Sequence, residues 1–240
     1  MAESQCVVEQ STSTGKNTLP SLMYHGTSSD RLGTILPAGL RPRGRRKSRW
    51  EQYPSRPDMV YLTTAYATYY GSARCPVDAL QVIVEVDTTQ LDENKFFPDE
   101  DFVAQALAHQ TGRALADVHE EVRSDMEGYR HHYADSVNGL GNLAYRGVIP
   151  PEAISRYAIL PDPVAGRLAL IVDPIISPVN YKFCGEYYRQ VTAWLFGDLE
   201  NFPLQWPVSS LPDDIASEWV RGRVEMNELR KTILLVKRGA

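Results

Sequence analysis

Short apolar runs with strand periodicity alternate along the chain with stretches of helical spacing. Residues 21–24 (S-L-M-Y) are the first such run, and His25 stands at its carboxyl end. Ser28, Ser29 and Asp30 offer caps for a short helix through Leu36, with Leu32, Ile35 and Leu36 facing inward. Gly39 ends that helix and Leu40 begins a short edge segment. Residues 60–63 (V-Y-L-T) form a compact β-type run. A helix then starts at Thr64 and carries Ala65, Ala67, Tyr69 and Tyr70. Residues 79–86 (A-L-Q-V-I-V-E-V) give the strongest strand pattern. Gln81 and Glu85 fall on one face at period two, and the other face is apolar.

Residues 99–137 read as helical, with Phe102, Val103, Ala106 and Leu107 at helical spacing and breaks at Gly112 and Gly128. Residues 143–149 (L-A-Y-R-G-V-I) predict a strand stopped by Pro150 and Pro151. Residues 154–160 and 168–172 predict two more. Residues 186–196 look helical, with Tyr188, Val191 and Leu195 along a stripe, and residues 201–212 are punctuated by prolines. Asp213 and Asp214 cap a final helix running to about Lys237. The pattern predicts an α+β protein without internal repeats. A polar leader covers residues 1–19, the main domain residues 20–174, and a helical C-terminal extension residues 175–240.

The chain has 240 residues, of which 43% are hydrophobic and 23% charged, so a sizeable core can be buried. The net charge of −5 argues against wholesale binding of nucleic acid. One stretch departs from that balance. Arg41, Arg43, Arg45, Arg46, Lys47 and Arg49 lie within nine residues without an acid between them. They form either a solvated loop or a clamp for the phosphates of a dinucleotide or a nucleic acid. Cys6, Cys75 and Cys184 are scattered and match neither a disulfide framework nor a zinc site. Adjacent His131 and His132 cannot share a helix face, so no metal is expected. The N-terminus shows no signal-like apolar core, and no apolar run nears the ~18 residues of a membrane span. The expectation is a cytoplasmic protein without membrane contact. Neither a Rossmann nor a P-loop fingerprint occurs, and no nucleophile elbow.

The candidate chemistry begins at His25-Gly26-Thr27. A glycine lets a ligand come against the backbone, and the flanking His and Thr offer side-chain hydrogen bonds. Alone the triplet says little, because a lone His is more often satisfied inside a fold than at work. Three further features follow it in order. They are Gly39-Leu40, then Val60-Tyr61-Leu62-Thr63 with Ala67, Tyr69 and Tyr70, then Tyr145-Arg146-Gly147-Val148-Ile149-Pro150.

This ordered set, spanning roughly residues 21–172, resembles the ADP-ribosyltransferase superfamily. The branch is the one with a His-Tyr-Glu triad, shared by poly(ADP-ribose) polymerases, diphtheria toxin and the tRNA 2′-phosphotransferases. The resemblance implies a split pair of mixed, mainly antiparallel small sheets around an NAD cleft. It implies NAD as co-substrate, without a metal, and a protein or nucleic-acid acceptor met through the basic run and the 99–137 insert. His25 would bond the 2′-hydroxyl of the adenine-side ribose. Gly26 would offer backbone groups to the nicotinamide carboxamide, with Tyr24, Thr27 and Thr63 beside the cofactor. Tyr61 would pack on the nicotinamide, and Tyr69 or Tyr70 on its other face. Two aromatic faces suit a flat polarisable ring, and the oxocarbenium-like cation formed at the ribose calls for a negative or hydrogen-bonding group.

The third motif departs from the family. Where the family places a glutamate, this chain has Asn142. Asparagine cannot accept a proton from the acceptor or match a cation with full charge. Three accounts stand: Asp135 supplies the acid, Asn142 bonds the ribose in a different acceptor chemistry, or the domain binds NAD without turning it over. The missing glutamate also points to single transfer rather than chain extension. The expected activity is that of a mono-ADP-ribosyltransferase, by analogy a bacterial or phage effector. The alternatives are a non-catalytic NAD- or ADP-ribose-binding module and an NAD glycohydrolase.

Overall fold

The computed structural model describes residues 19–48, 51–73, 75–171, 176–205 and 207–238. Cys6, Arg49, Val172 and all but Leu19 of the expected leader lie outside them. The elements run β1 (Leu22–Ser28), α1 (Leu32–Ala38), β2 (Met59–Thr63), α2 (Ala67–Ser72), β3 (Gln81–Asp87) and β4 (Phe96–Phe97). Next come α3 (Glu100–Thr111), α4 (Leu115–Ser124), α5 (Tyr133–Leu140), β5 (Asn142–Arg146) and β6 (Ile154–Leu160). The chain continues through α6 (Asp162–Ile171), α7 (Pro178–Phe196), α8 (Asp213–Arg230) and β7 (Leu234–Lys237).

The fold is α+β. In place of two small mixed sheets there is one seven-stranded sheet, ordered β4-β5-β2-β1-β3-β6-β7, antiparallel at every neighbour. Its strength is uneven. β1 is in register with β3 along its whole length, from Leu22 opposite Asp87 to Ser28 opposite Gln81. β2 is in register with all of β5. Between β1 and β2 the only register pair is Tyr24 with Thr63. No further register pair joins these two strands, and the line between them is a seam in a single sheet.

One face of the sheet carries a continuous core across the seam, including Met23, Leu62, Val84 and Leu143. The other face carries two separate cores. Ile83 and Ala158 pack under α6, α7 and α8 through Leu168, Trp194, Phe196 and Met226. Met59 and Ala144 pack under α3 and α4 through Val103, Val118 and Val122. β3 is therefore covered on both faces. Gln81 and Glu85, expected on a polar face, are 3% and 2% exposed.

Three expectations are corrected by packing. The first strand does not end at Tyr24 but runs on to Ser28, because β3 offers it a full-length partner. Residues 168–171 belong to α6, not to a strand: Val164 and Leu168, one helical turn apart, are both buried against the sheet. The last helix stops at Arg230, and Leu234, Leu235 and Val236 form β7 on the edge of β6. The C-terminal segment thus completes the sheet. Its expected N-cap is also absent, since Pro212 occupies that position without a side-chain bond.

A charged network fixes α7 to the sheet. Arg156 on β6 donates from Nε to Glu85 Oε1 (2.7 Å) and from Nη2 to Asp198 Oδ2 (2.5 Å). It also donates from Nη1 to the Phe196 carbonyl (3.1 Å) and lies 5.0 Å from the Phe196 ring centre. Ser155 Oγ donates to Glu85 Oε1 at 2.6 Å. Removing one partner of a buried pair strands the other charge, at a cost of about 3–5 kcal/mol. Arg156→Ala should lower unfolding stability by about that amount in urea titration. The double variant Glu85→Leu/Arg156→Met, which leaves no buried charge behind because Asp198 is half-exposed, should lose much less. Equal losses in the two proteins would show that Glu85 is not stranded.

Candidate functional site

The seam creates a cleft. If β1 and β2 continued to pair past Tyr24 and Thr63, residues 25–28 would lie opposite residues 59–62. Instead His25, Gly26, Thr27 and Ser28 line one wall of a cavity of about 250 Å³, and Met59, Val60 and Tyr61 line the other. No register pair joins these two segments, and backbone groups that lose a strand neighbour bond elsewhere. A side chain spans the gap: His25 Nδ1 donates to the Tyr61 carbonyl at 2.9 Å. That bond fixes Nδ1 as a protonated nitrogen. Whatever His25 gives a ligand comes from the other edge of its ring.

Gly26 has a different reason for being glycine from the one its sequence suggests. A Cβ there would lie 2.3 Å from both the Ala67 carbonyl oxygen and the Gly71 nitrogen. The space beside Gly26 is filled by α2, and the glycine permits that helix to rest on β1. Thr63 also serves α2: its Oγ1 accepts from the Ala65 and Tyr66 nitrogens at 3.1 and 3.0 Å. It is not among the cleft-lining residues.

Of the two expected stacking tyrosines, Tyr70 lines the cleft. Tyr69, one position earlier on α2, lines a separate hollow with Thr68 and Leu168. Tyr24 borders the cleft while its ring packs 5.1 Å from that of Phe196.

The floor carries what the sequence reading missed. Asp99, Glu100 and Asp101 line it at the start of α3. Asp99 is the N-cap, its Oδ1 accepting from the Asp101 nitrogen at 2.9 Å. Its Oδ2 accepts from Asn142 Nδ2 at 2.9 Å, and the same Nδ2 donates to the Tyr70 hydroxyl at 2.9 Å. Glu100 accepts from the Tyr61 hydroxyl at 2.6 and 2.8 Å. Asn142 therefore stands behind the floor and holds Asp99, without lining the cleft itself. Asp135 lies elsewhere, on α5, its side chain 57% exposed and bonded to His132. The P-D-E-D-F run was the available signal. In sequence it reads as ordinary acidic capping of a helix, and only β2 and β5 turn it towards a cleft.

Burial raises the Asp99 carboxyl well above the usual range, and the charges of Asp101 and Glu100 raise it further. Glu100 is raised by burial too, while the Tyr61 phenol pulls it partly back. Burial, then the Glu100 charge, pushes the Tyr61 phenol up; burial, then the Asp99 charge, does so for Tyr70. Both phenols remain protonated at neutral pH.

The mouth has the opposite sign. Arg31, Arg41, Arg43, Arg46 and Lys47 line it, with Tyr53. Arg43 braces the loop, donating from Nη2 and Nε to the Ser55 carbonyl at 2.7 and 3.1 Å, and Lys47 pairs with Glu51 at 2.5 Å. Among the described residues, no cluster of His, Cys, Asp or Glu has the make-up of a metal site. No described helix is long and apolar enough to cross a membrane.

No protein-family model matches this chain, and no curated protein matches it. Among solved structures, one named EcPltA is similar over 59% of this chain and 76% of its own, at 15% identity and a TM-score of 0.35. That likeness is too slight to assign a family.

A carboxyl whose folded pKa exceeds its unfolded one favours the folded state while protonated, and that advantage is lost as pH rises. For Asp99 the loss starts above the ordinary value of 3.8 and continues through the raised folded value. Asn at this position keeps both size and capping oxygen. The wild type should therefore weaken relative to Asp99→Asn as pH climbs through that window, measured as urea midpoints at a series of pH values. Parallel curves would show that Asp99 ionises without penalty.

Proposed function

We propose that the chain is a mono-ADP-ribosyltransferase that moves ADP-ribose from NAD to a macromolecular acceptor, protein or nucleic acid, and releases nicotinamide. The observation that carries this reading is the polarity of the seam cleft: cations at the mouth, buried acids on the floor, and His25, Tyr61 and Tyr70 between them. NAD has a matching polarity. Its pyrophosphate is anionic, and positive charge develops on its nicotinamide-side ribose as the glycosidic bond breaks.

The cavity, at about 250 Å³, falls below the ~300–1,000 Å³ usual for pockets that bury a drug-sized ligand. The nicotinamide riboside end would fill its depth, and the pyrophosphate would run out along Arg31, Arg41 and Arg46. Tyr61 and Tyr70 supply aromatic surface for the nicotinamide ring. The Gly26 backbone beside the cleft would meet its carboxamide, and Thr27 adds a hydroxyl nearby. His25 would bond a ribose hydroxyl. The basic loop, Arg41 to Lys47, is where an acceptor would meet the protein.

Buried carboxyls favour turnover over simple binding. The nicotinamide ring of NAD is cationic when bound, and a carboxylate beside the glycosidic bond gains most as that charge moves to the ribose in the transition state.

The test is incubation of the protein with labelled NAD and a cell lysate. Label should pass to a macromolecule with release of nicotinamide, and His25→Ala should cut that rate by about tenfold or more, the cost of losing one hydrogen bond to the bound sugar. Transfer that persists undiminished in both His25→Ala and Tyr61→Ala would remove the site from consideration. Nicotinamide release without a labelled acceptor would identify a glycohydrolase, and NAD binding without release a binding module.

A further inference from the structure

The acid that the resemblance expects at the start of β5 has a candidate substitute at the start of α3. We propose that Glu100, the first residue of α3, is the catalytic carboxylate of this cleft, aimed by the Tyr61 hydroxyl. The proposal rests on the ADP-ribosyl transfer proposed above and deepens it.

The neighbouring acids are tied to side chains outside the cleft lining, Asp99 to Asn142 and Asp101 to His119, whereas the side chain that bonds Glu100, Tyr61, lines it. Both oxygens of Asp99 accept from the protein itself, one from the Asp101 nitrogen and one from Asn142. Asp101 Oδ1 pairs with His119 Nε2 at 2.9 Å. Asp135 is outside the cleft. Glu100 is 2% exposed, lines the cavity, and takes its bonds from a phenol at 2.6 and 2.8 Å and from the Arg56 backbone nitrogen at 3.3 Å. These donors stabilise an ionised carboxylate without cancelling its charge, since the Arg56 guanidinium is turned to Asp58 at 3.0 Å. The N-terminus of α3 adds a favourable dipole for the same charge. Tyr61 also lines the cleft, so the carboxylate stands on the wall that would hold the nicotinamide.

The step balances as follows. The bond between the ribose C1′ and the nicotinamide nitrogen breaks, and its electron pair leaves with the nitrogen, so that nicotinamide departs neutral. The Glu100 carboxylate faces the positive charge shared by C1′ and the ring oxygen. A lone pair of the acceptor, a hydroxyl or amide group or water, forms the new bond to C1′. The acceptor's proton passes to Glu100 and from there to solvent. Asp99, Asn142 and Tyr70 are positioning residues that hold the helix start in place.

Glu100→Gln preserves the side chain's shape and an oxygen for the Tyr61 hydroxyl. NAD affinity, read by calorimetry, should stay within about threefold of wild type, while nicotinamide release falls about 100-fold or more, the usual contribution of a positioned acid or base. An active wild type together with a Glu100→Gln rate within a few-fold of it overturns this assignment and leaves the transfer reading standing. A wild type that binds NAD but releases no nicotinamide overturns the transfer reading, and the role of Glu100 with it. Should Glu100→Gln fail to fold, Tyr61→Phe decides the matter, because it keeps the ring and removes only the aiming hydroxyl. A fall in kcat of about tenfold with KM nearly unchanged supports the assignment; an unchanged kcat overturns it.

Discussion

β1 rests against α2 so closely that a methyl group on Gly26 would sit 2.3 Å from helix backbone. The same strand is in register with β3 over all seven of its residues. Held by a helix on one face and a full-length neighbour on one edge, β1 is in register with β2 at Tyr24 and Thr63 alone. Backbone polar groups that lose a sheet partner must find another, and here His25 reaches across to the Tyr61 carbonyl. A packing constraint at one glycine is thus tied to an open seam, and the seam to a cleft whose walls are strand backbone.

The two separate cores on one face of the sheet belong to the same arrangement. Each half has its own helical cover, α6 to α8 on one side and α3 with α4 on the other. The start of α3 brings its acids to the seam because α3 covers β2 and β5. Capping chemistry places Asp99 at that helix start, and the sheet's geometry places the helix start at the cleft. The acids on the floor therefore owe their position to two requirements that have nothing to do with catalysis.

Local elements were legible where a single face decided them. The β6 span matched the pattern of residues 154–160 to the residue, and the helical insert broke at Gly112, which ends α3 with a positive φ of 67°. Legibility failed where a distant partner decided. β3 extends β1 past His25, β6 recruits residues 234–237 as a strand, and helices bury the face that carries Gln81 and Glu85. His25, Gly26, Thr27, Tyr61 and Tyr70 line one cleft, and Tyr69 and Thr63 do not line it. Asn142 was marked as the place where an acid was missing. The structure joins it to Asp99, 43 residues away in sequence, a relation that spacing along the chain cannot show.

β7 carries a consequence for how the molecule is made. It is the last strand among the described residues and the outermost in the sheet, paired to β6. During synthesis β6 is complete about 80 residues before its partner, which at 5–20 residues per second leaves its edge bare for several seconds. An unpaired edge is a template for other chains. In that interval α6 can cover the face of β6, but no later segment can cover its edge. Nascent chains of this protein would meet one another, or a chaperone, along β6.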